Sequence, residues 1–512
     1  MGPPGDRGTG VRGPAGWTIH IACVLLMMWP AIVNRQPFFF SDTTSYVRAA
    51  DMAAGIASHG RITTAWTRPA PAAAAPSSQA ASPPGRAAPA PTRGNDPASG
   101  YIMAGRSPYF GALLWLAYVA SDFWLFVLLQ GVVAYWLIAL ALRCFGLDRP
   151  RVRLGVAALL GLCTPLAIYD SLLLADALAG FGILAFLILA TRATALTRWE
   201  TTALVLIILM SAVSHLTHIV MLLCMTALLG LLVLAGRLPW PVYRRAVLTG
   251  VLGVAIGFAS VMITSAVVQA RFGKPPVLIP LITARFVADG PGRDFIESGC
   301  DGNRFAVCTI PYRRWTSSTL FLWSNVPADG AFLVADPETR RRMSIEDKAF
   351  GLAVLEAYPI RTSWMMAWNT LAQIANFKTD ILDESCYADA ACIGGSLPPR
   401  DFARMRTSLG GRNLWPASFF TLAHYTTIVL SVILLVILFP KLLRRLSAPA
   451  AQLALWTALA VVAMLANGFL GGAISEPQSR YQARIVWLAA LFAALAVLLW
   501  RNARDREGAR AA

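Results

Sequence analysis

Several groups of ionisable side chains in this 512-residue chain have types and positions that could do chemistry. Asp42 stands in "FFFSDTTSYVRAAD", directly after the first long apolar run. Tyr169 and Asp170 interrupt a later apolar stretch, and Asp176 follows a few residues on. His215, Thr217 and His218 fall in "SHLTH", and Glu476, Arg480, Tyr481 and Arg484 precede the last apolar run. An acid near a hydroxyl acceptor can serve as general base, and cationic side chains can hold a phosphate leaving group. Arg480 and Arg484 are four apart, so on a helix beginning there both project to the same side. Inversion at a sugar carbon by a base-activated hydroxyl, with a lipid phosphate departing, needs this set.

Each residue also has a plainer reading. Asp42 can cap a helix running from "TTSYVRAADMAAG", and Asp51 reads as a solvated face residue. His215 and His218, three apart, could share a ligand on one helical face, but histidines in a membrane turn more often satisfy backbone or hydroxyl partners. Asp170 and Asp176 can be interfacial or packing acids, with Asp176 the costlier to leave unpaired because it lies further into a span. Arginines often snorkel to the water interface. Tyr46 and Tyr481 are equally at home as interfacial anchors.

The elements that must position these groups follow from composition. The chain is 56% hydrophobic and 14% charged, with mean hydropathy +0.57, more apolar surface than one soluble core could hide. A spanning helix needs roughly 20 mainly apolar residues. Ten stretches qualify: 16–34, 122–145, 152–169, 171–191, 201–214, 219–236, 246–270, 418–439, 450–472 and 485–500. The split at "SHLTH" is required because one helix across 201–236 would overshoot the bilayer. It also puts the basic segments "RCFGLDRPRVR", "RATALTRWE", "GRLPWPVYRR", "PKLLRRL" and "RNARDREGAR" on one side, as the enrichment of Lys and Arg in cytoplasmic loops demands. The expectation is an all-α integral membrane protein with ten transmembrane helices, both termini cytoplasmic, in a bacterial inner membrane. The net charge of +17 is this orientation signal plus attraction to anionic lipid, and it requires no nucleic acid.

The domains read as follows. Residues 1–34 hold the cytoplasmic N-terminus and a retained first span, since "NRQPFFF" is a poor signal-peptide cleavage site. Residues 35–121 form a first periplasmic loop with a Pro/Ala-rich insertion, 67–100, too poor in large apolar groups to order itself. Spans two to seven occupy 122–270, a periplasmic cap domain 271–417, and three C-terminal spans with a tail 418–512. The cap carries Cys300, Cys308, Cys386 and Cys392, whose close spacing in couples suggests bridges Cys300 to Cys308 and Cys386 to Cys392. A four-thiolate zinc site is the rival, but neither couple has zinc-ribbon spacing. Tyr169, Asp170, Asp176, His215, His218, Glu476, Arg480, Tyr481 and Arg484 then face one membrane-bounded pocket with Asp42. No Walker sequence or glycine-rich nucleotide fingerprint occurs, which disfavours nucleotide-sugar donors and ATP-driven transport.

The chain also resembles a family. Asp42 in "SDTTSY", the stretch "GRSPYFGALLWLAYVASDFWLFVLLQGVV", the acid Asp176 in "IYDSLLLADALAGFGILAFLILA", and "EDKAFGLAVLEAYPIRTSWMMAWN" are similar to features of the GT-C class of polytopic glycosyltransferases. The resemblance implies transfer of a sugar from a polyprenyl-phosphate donor to a glycan or glycolipid acceptor of the cell envelope, with the site facing the periplasm. Residue chemistry and resemblance together give Asp42 as base or acceptor-orienting residue; the residue chemistry alone gives Arg480 and Arg484 as phosphate ligands, with Asp176, His215 and His218 lining the cavity. Many members carry two adjacent acids in the first loop, whereas here Ser41 precedes Asp42, so a divalent metal ion is the one cofactor left open. Two rival functions remain. An O-antigen polymerase or ligase would rely on Arg313 and Arg314 in "CTIPYRRW"; a lipid-linked saccharide transporter would show internal repeats, and none is visible.

The topology is testable directly. Cysteine-accessibility labelling is expected to place Thr43 and Ser317 outside and Arg149 and Arg244 inside, and a cytoplasmic Thr43 would remove the site from the donor's side of the membrane.

Overall fold

A computed structural model describes residues 14–67, 102–103, 105–191, 196–311, 315–324, 326–379, 397–444 and 447–511. Among these residues the regular elements are all helices, beside two isolated bridges, Phe38 to Leu172 and Met103 to Val277. Among the described residues seven helices are long and apolar enough to cross a membrane: α1 (Pro14–Asn34), α4 (Trp124–Cys144), α9 (Leu216–Leu234), α10 (Trp240–Phe272), α18 (Ala417–Leu443), α19 (Ala448–Gly468), which continues as a π-helical turn over Phe469–Ile474, and α20 (Ser479–Ala511). Of the remaining expected spans, α5 (Pro150–Cys163), α7 (Ala177–Leu189) and α8 (Arg198–Ser214) are present but fall short of that length.

The physical causes of these boundaries are local. The expected helix 152–169 ends early because Thr164 precedes Pro165, and the proline ring drives the preceding residue into extended backbone, φ −132° and ψ 165° here. The chain resumes for one short turn, α6 (Leu166–Asp170), then runs irregularly to Asp176 before α7 begins. "SHLTH" does separate two helices. α8 starts with a capping box in which Thr197 and Glu200 bond each other's backbone N–H, and it ends at Ser214. His215 then takes extended geometry and its ring nitrogen accepts from the Thr217 N–H, capping α9.

Every residue from 164 to 191 is buried. α7 is apolar on all sides, as a helix wrapped by others must be, and it packs against α4, α8, α19 and α20. The contact with α20 is close. A Cβ on Gly180 would lie 2.7 Å from the Trp487 indole nitrogen and 3.0 Å from the Arg484 carbonyl.

Irregular backbone at this depth needs bonding partners, and the segment after α1 supplies them. Phe38 N–H donates to the Ser171 carbonyl and Leu173 N–H to the Phe38 carbonyl, both at 2.9 Å. The Ala31 N–H donates to the Ser171 hydroxyl, the Thr43 hydroxyl to the Leu173 carbonyl, and the Gln130 amide to the Asp170 carbonyl. The apolar "QPFFF" run and the broken segment 164–176 thus form one unit.

α2 (Ser41–Ala57) and α3 (Pro108–Ser121) pack together at this end. Asp51, read from the sequence as solvated, is fully buried. Its carboxylate accepts from the Thr64 N–H, the Thr67 hydroxyl and the Trp115 indole, tying α2 to α3. A second core belongs to the cap, built by α11 (Leu281–Asp289), α12 (Pro291–Glu297), α13 (Cys300–Asn303), α14 (Ser318–Trp323), α15 (Pro337–Ala357) and α16 (Pro359–Ala375), with Phe286, Phe295, Phe305, Phe321 and Phe350 at its centre. A disulfide joins Cys300 and Cys308, while Cys386 and Cys392 lie outside the described residues, as do Arg313, Arg314 and all but the first residue of the 67–100 insertion. α16 closes on the π-helical turn, where Gly472 comes so near Asn369 that a Cβ would sit 2.1 Å from its carbonyl oxygen. α17 (Pro399–Thr407) bonds Asp122 through Arg400 and Arg404.

The packing at Gly180 predicts a graded response. Gly180→Ala should cost roughly 1–3 kcal/mol by forcing α7 from α20, whereas Gly155→Ala, with nothing within 4 Å, should be neutral or slightly stabilising; reversible unfolding in mixed micelles measures both.

Candidate functional site

Asp42 occupies the first turn of α2, whose N-terminal dipole favours an acid. It is not the helix cap: Phe40 holds that position, and its N–H donates to the Thr43 hydroxyl at 3.0 Å. The plainer reading of Asp42 therefore fails on geometry. Its carboxylate is instead bracketed by two guanidinium groups. Arg106, just before α3, pairs with one oxygen, and Arg480 Nη1 lies 3.1 Å from the other.

Arg106 was not singled out in the sequence. It sits directly before the cap residue of α3, Ser107, whose hydroxyl donates to the Val213 carbonyl and accepts from Phe110 N–H to cap that helix. The signal that could have found it is an arginine at the end of a loop that the charge distribution puts on the side where arginines are least expected.

Arg480 stands on the first turn of α20, its guanidinium carbon 4.8 Å from the Phe40 ring centre and 4.9 Å from that of Tyr481, and Nε donates to Gln478 at 3.1 Å. Four residues on, Arg484 is 1% exposed on its side chain. Nη1 donates to Asp176 at 2.9 Å; Nη2 donates to Thr217 at 2.9 Å and to Asn467 at 2.7 Å. The two arginines do project to the same side, but at different depths: Arg480 meets the loop acid and Arg484 the buried one. Tyr481 lies between them, its ring centre 5.5 Å from the Arg484 guanidinium.

The histidines flank this lower layer. Their ring centres are 5.3 Å apart. The His215 ring bonds Thr217, and His218 Nδ1 faces the Ser211 carbonyl at 3.0 Å, which fixes the proton on Nδ1. Each histidine thus has a local partner, the role polar groups in a membrane turn commonly serve.

Three expected site residues are placed otherwise. Asp170 is fully buried away from the arginines, and among the described residues neither carboxylate oxygen has a hydrogen-bond partner. Tyr169 is buried beside it in α6. Glu476 accepts from the Thr319 N–H at 2.7 Å and the Ser318 hydroxyl at 3.0 Å, pinning the start of α14 to the membrane helices.

Electrostatics follow from the count. Arg106, Arg480 and Arg484 face Asp42 and Asp176, so three positive charges meet two negative ones and one positive charge is left over. Burial pushes the Asp42 carboxyl up, but the guanidinium groups of Arg106 and Arg480 outweigh it and hold the group below its ordinary range. Because folding depresses this carboxyl, the stability its pairs contribute is complete above the ordinary carboxylate range and is lost only as pH falls through the lowered value. Both oxygens face cations, and among the described residues no three His, Cys, Asp or Glu side chains gather as metal ligands. This donor set does not fit a divalent ion. It fits an anion.

No family model, characterised protein or solved structure matches the chain. The fold and its apolar helices define an all-α, multi-pass membrane protein.

The lower layer makes a quantitative prediction. Removing one partner of a buried ion pair is expected to cost about 3–5 kcal/mol, so Arg484→Met and Asp176→Leu should each be strongly destabilising. The double variant should recover much of the loss, and additive losses in a double-mutant cycle would show that the two residues act separately.

Proposed function

We propose that this chain is an inverting membrane glycosyltransferase that moves a sugar from a polyprenyl-phosphate donor to a lipid- or envelope-linked acceptor. In this reading all ten apolar helices lie within a bacterial inner membrane, the short α5, α7 and α8 among them, and the Asp42 layer faces the periplasm. The observation that carries the reading is the Asp42 carboxylate held between Arg106 and Arg480, partly open to water, above a buried layer in which Arg484 pairs with Asp176, so that three arginines face two carboxylates.

The chemistry is direct. The acceptor oxygen bonds to the anomeric carbon while its proton passes to Asp42. The bond from that carbon to the phosphate oxygen breaks, and its electron pair stays on the departing polyprenyl phosphate. Arg106 and Arg480 take up the phosphate charge by charge-assisted hydrogen bonds. In the free protein these arginines suppress the basicity of Asp42. Donor binding would draw them toward the phosphate and return basicity to the carboxylate, so base and leaving-group site are coupled. Arg484, committed to Asp176, Thr217 and Asn467, supports this layer from below. The polymerase alternative depends on Arg313 and Arg314, which lie outside the described residues, and no observation favours it.

The test is transfer from a synthetic polyprenyl-phosphate sugar by protein reconstituted in liposomes. Asp42→Asn keeps the volume and removes the basicity, so the rate should fall about 100-fold or more, the scale of a lost general base, with expression and insertion unchanged. An Asn variant with normal turnover would exclude Asp42 from the chemistry, and a wild-type protein inert toward every such donor would overturn the reading.

A further inference from the structure

Between the end of α16 and the first turns of α18 lies an open groove of about 390 Å³, lined by Lys378, Ser418, Thr421, Leu422 and Tyr425. Pockets that hold small ligands are of roughly 300–1,000 Å³. The groove is built on a fixed backbone. Phe377 stacks on the Tyr425 ring with centres 3.9 Å apart, and its N–H donates to the Tyr425 hydroxyl, which in turn donates to the Ala375 carbonyl. Thr379 N–H donates to the Thr421 hydroxyl at 3.0 Å. Phe377 and Thr379 are buried while Lys378 between them is exposed, so the alternation of an extended strap turns the lysine out into the groove. Among the described residues no carboxylate pairs with it.

Two observations set the depth of this groove. On α16, Ile360, Trp364, Trp368 and Leu371 recur at helical spacing and are 85%, 66%, 58% and 61% exposed, while Thr362, Asn369 and Gln373 face the protein. An amphipathic helix with tryptophans on its bare face lies in the membrane interface. The groove opens where that helix meets α18, the least buried of the long apolar helices, with 17% of its apolar window covered. Phe419 and Leu422 continue the apolar surface down α18.

We propose that this groove binds an anionic phospholipid, with the headgroup phosphate on Lys378 and its acyl chains along the exposed face of α18. Charge complementarity and continuity with the lipid-facing surface select this occupant. The site neighbours the Asp42 cluster through the strap itself: Ser479 bonds Asn376 at 3.1 Å, and Gln373 bonds the backbone of Gln478, the partner of Arg480. Bound lipid would therefore hold the strap that sets the position of Arg480. The proposal does not rest on the transferase reading.

The experiment is native mass spectrometry of the full-length protein titrated with phosphatidylglycerol and, separately, with phosphatidylcholine of the same chains. The wild type should favour phosphatidylglycerol. Lys378→Gln should weaken that binding about five-fold, the equivalent of about 1 kcal/mol for one basic residue at a membrane surface, while Lys348→Gln in the cap leaves it unchanged. Equal binding by the Lys378 variant, or equal retention of both lipids by the wild type, would overturn the proposal. Displacement of the lipid by inorganic phosphate at millimolar concentration would overturn it too, by assigning the site to free phosphate.

Discussion

A guanidinium buried among apolar helices has no water to fall back on, and the arrangement around Arg484 follows from that constraint. An isolated charge in such surroundings is too costly to leave unpaired. Arg484 resolves it with a carboxylate from the start of α7, a hydroxyl from α9 and an amide from α19. One side chain on α20 therefore registers three other helices. The residues that meet it are fixed in turn: Gly180 must be small because α7 passes close to α20 one turn beyond Asp176, and His215 must break the α8–α9 connection where Thr217 can reach.

The break between α5 and α7 belongs to the same construction. A continuous helix through 164–176 would satisfy its own backbone but could not also deliver Asp176 at the head of a separate short helix. Pro165 prevents continuity, and the exposed backbone groups are recovered by the extended segment after α1. That bonding also fixes Phe38 to Phe40 and hence the first turn of α2, where Asp42 sits. The upper layer is thereby positioned by the backbone of the lower one.

Much of this was legible in the sequence because an apolar chain makes its ionisable residues conspicuous. Helices formed where the apolar runs lay, the "SHLTH" turn fell where bilayer length required it, and Asp42, Asp176, Thr217, Arg480 and Arg484 converge as their positions at helix ends implied. What was hidden is long-range pairing. Arg106 lies 64 residues from its partner, across an insertion that carries arginines of its own. Asp51 looks like a surface residue until α3 folds over it, because a three-residue contact from two segments leaves no local periodicity. Of the acids Asp170 and Asp176, the second was the costlier to leave unpaired by its depth in a span, but nothing local named its partner. The irregular stretch 171–176 separates them, sending Asp176 to Arg484 and leaving both Asp170 carboxylate oxygens without a hydrogen-bond partner among the described residues. Glu476 was grouped with the arginines by proximity in sequence, yet it serves the cap.

The two layers differ in a way that bears on chemistry. Arg484 is enclosed and has donors spent on three fixed acceptors, so moving it would leave Asp176 unpaired in the bundle. Arg106 and Arg480 share a single carboxylate at the rim, and their side chains retain partial access to water. A second anion can compete for them there without creating a bare buried charge, since the carboxylate they release is itself near solvent. The lower layer therefore acts as a fixed support and the upper one as an exchangeable set of ion pairs. In such an exchange the incoming anion and the basicity of Asp42 are linked: each guanidinium hydrogen bond that passes to the ligand raises the proton affinity of the carboxylate it leaves.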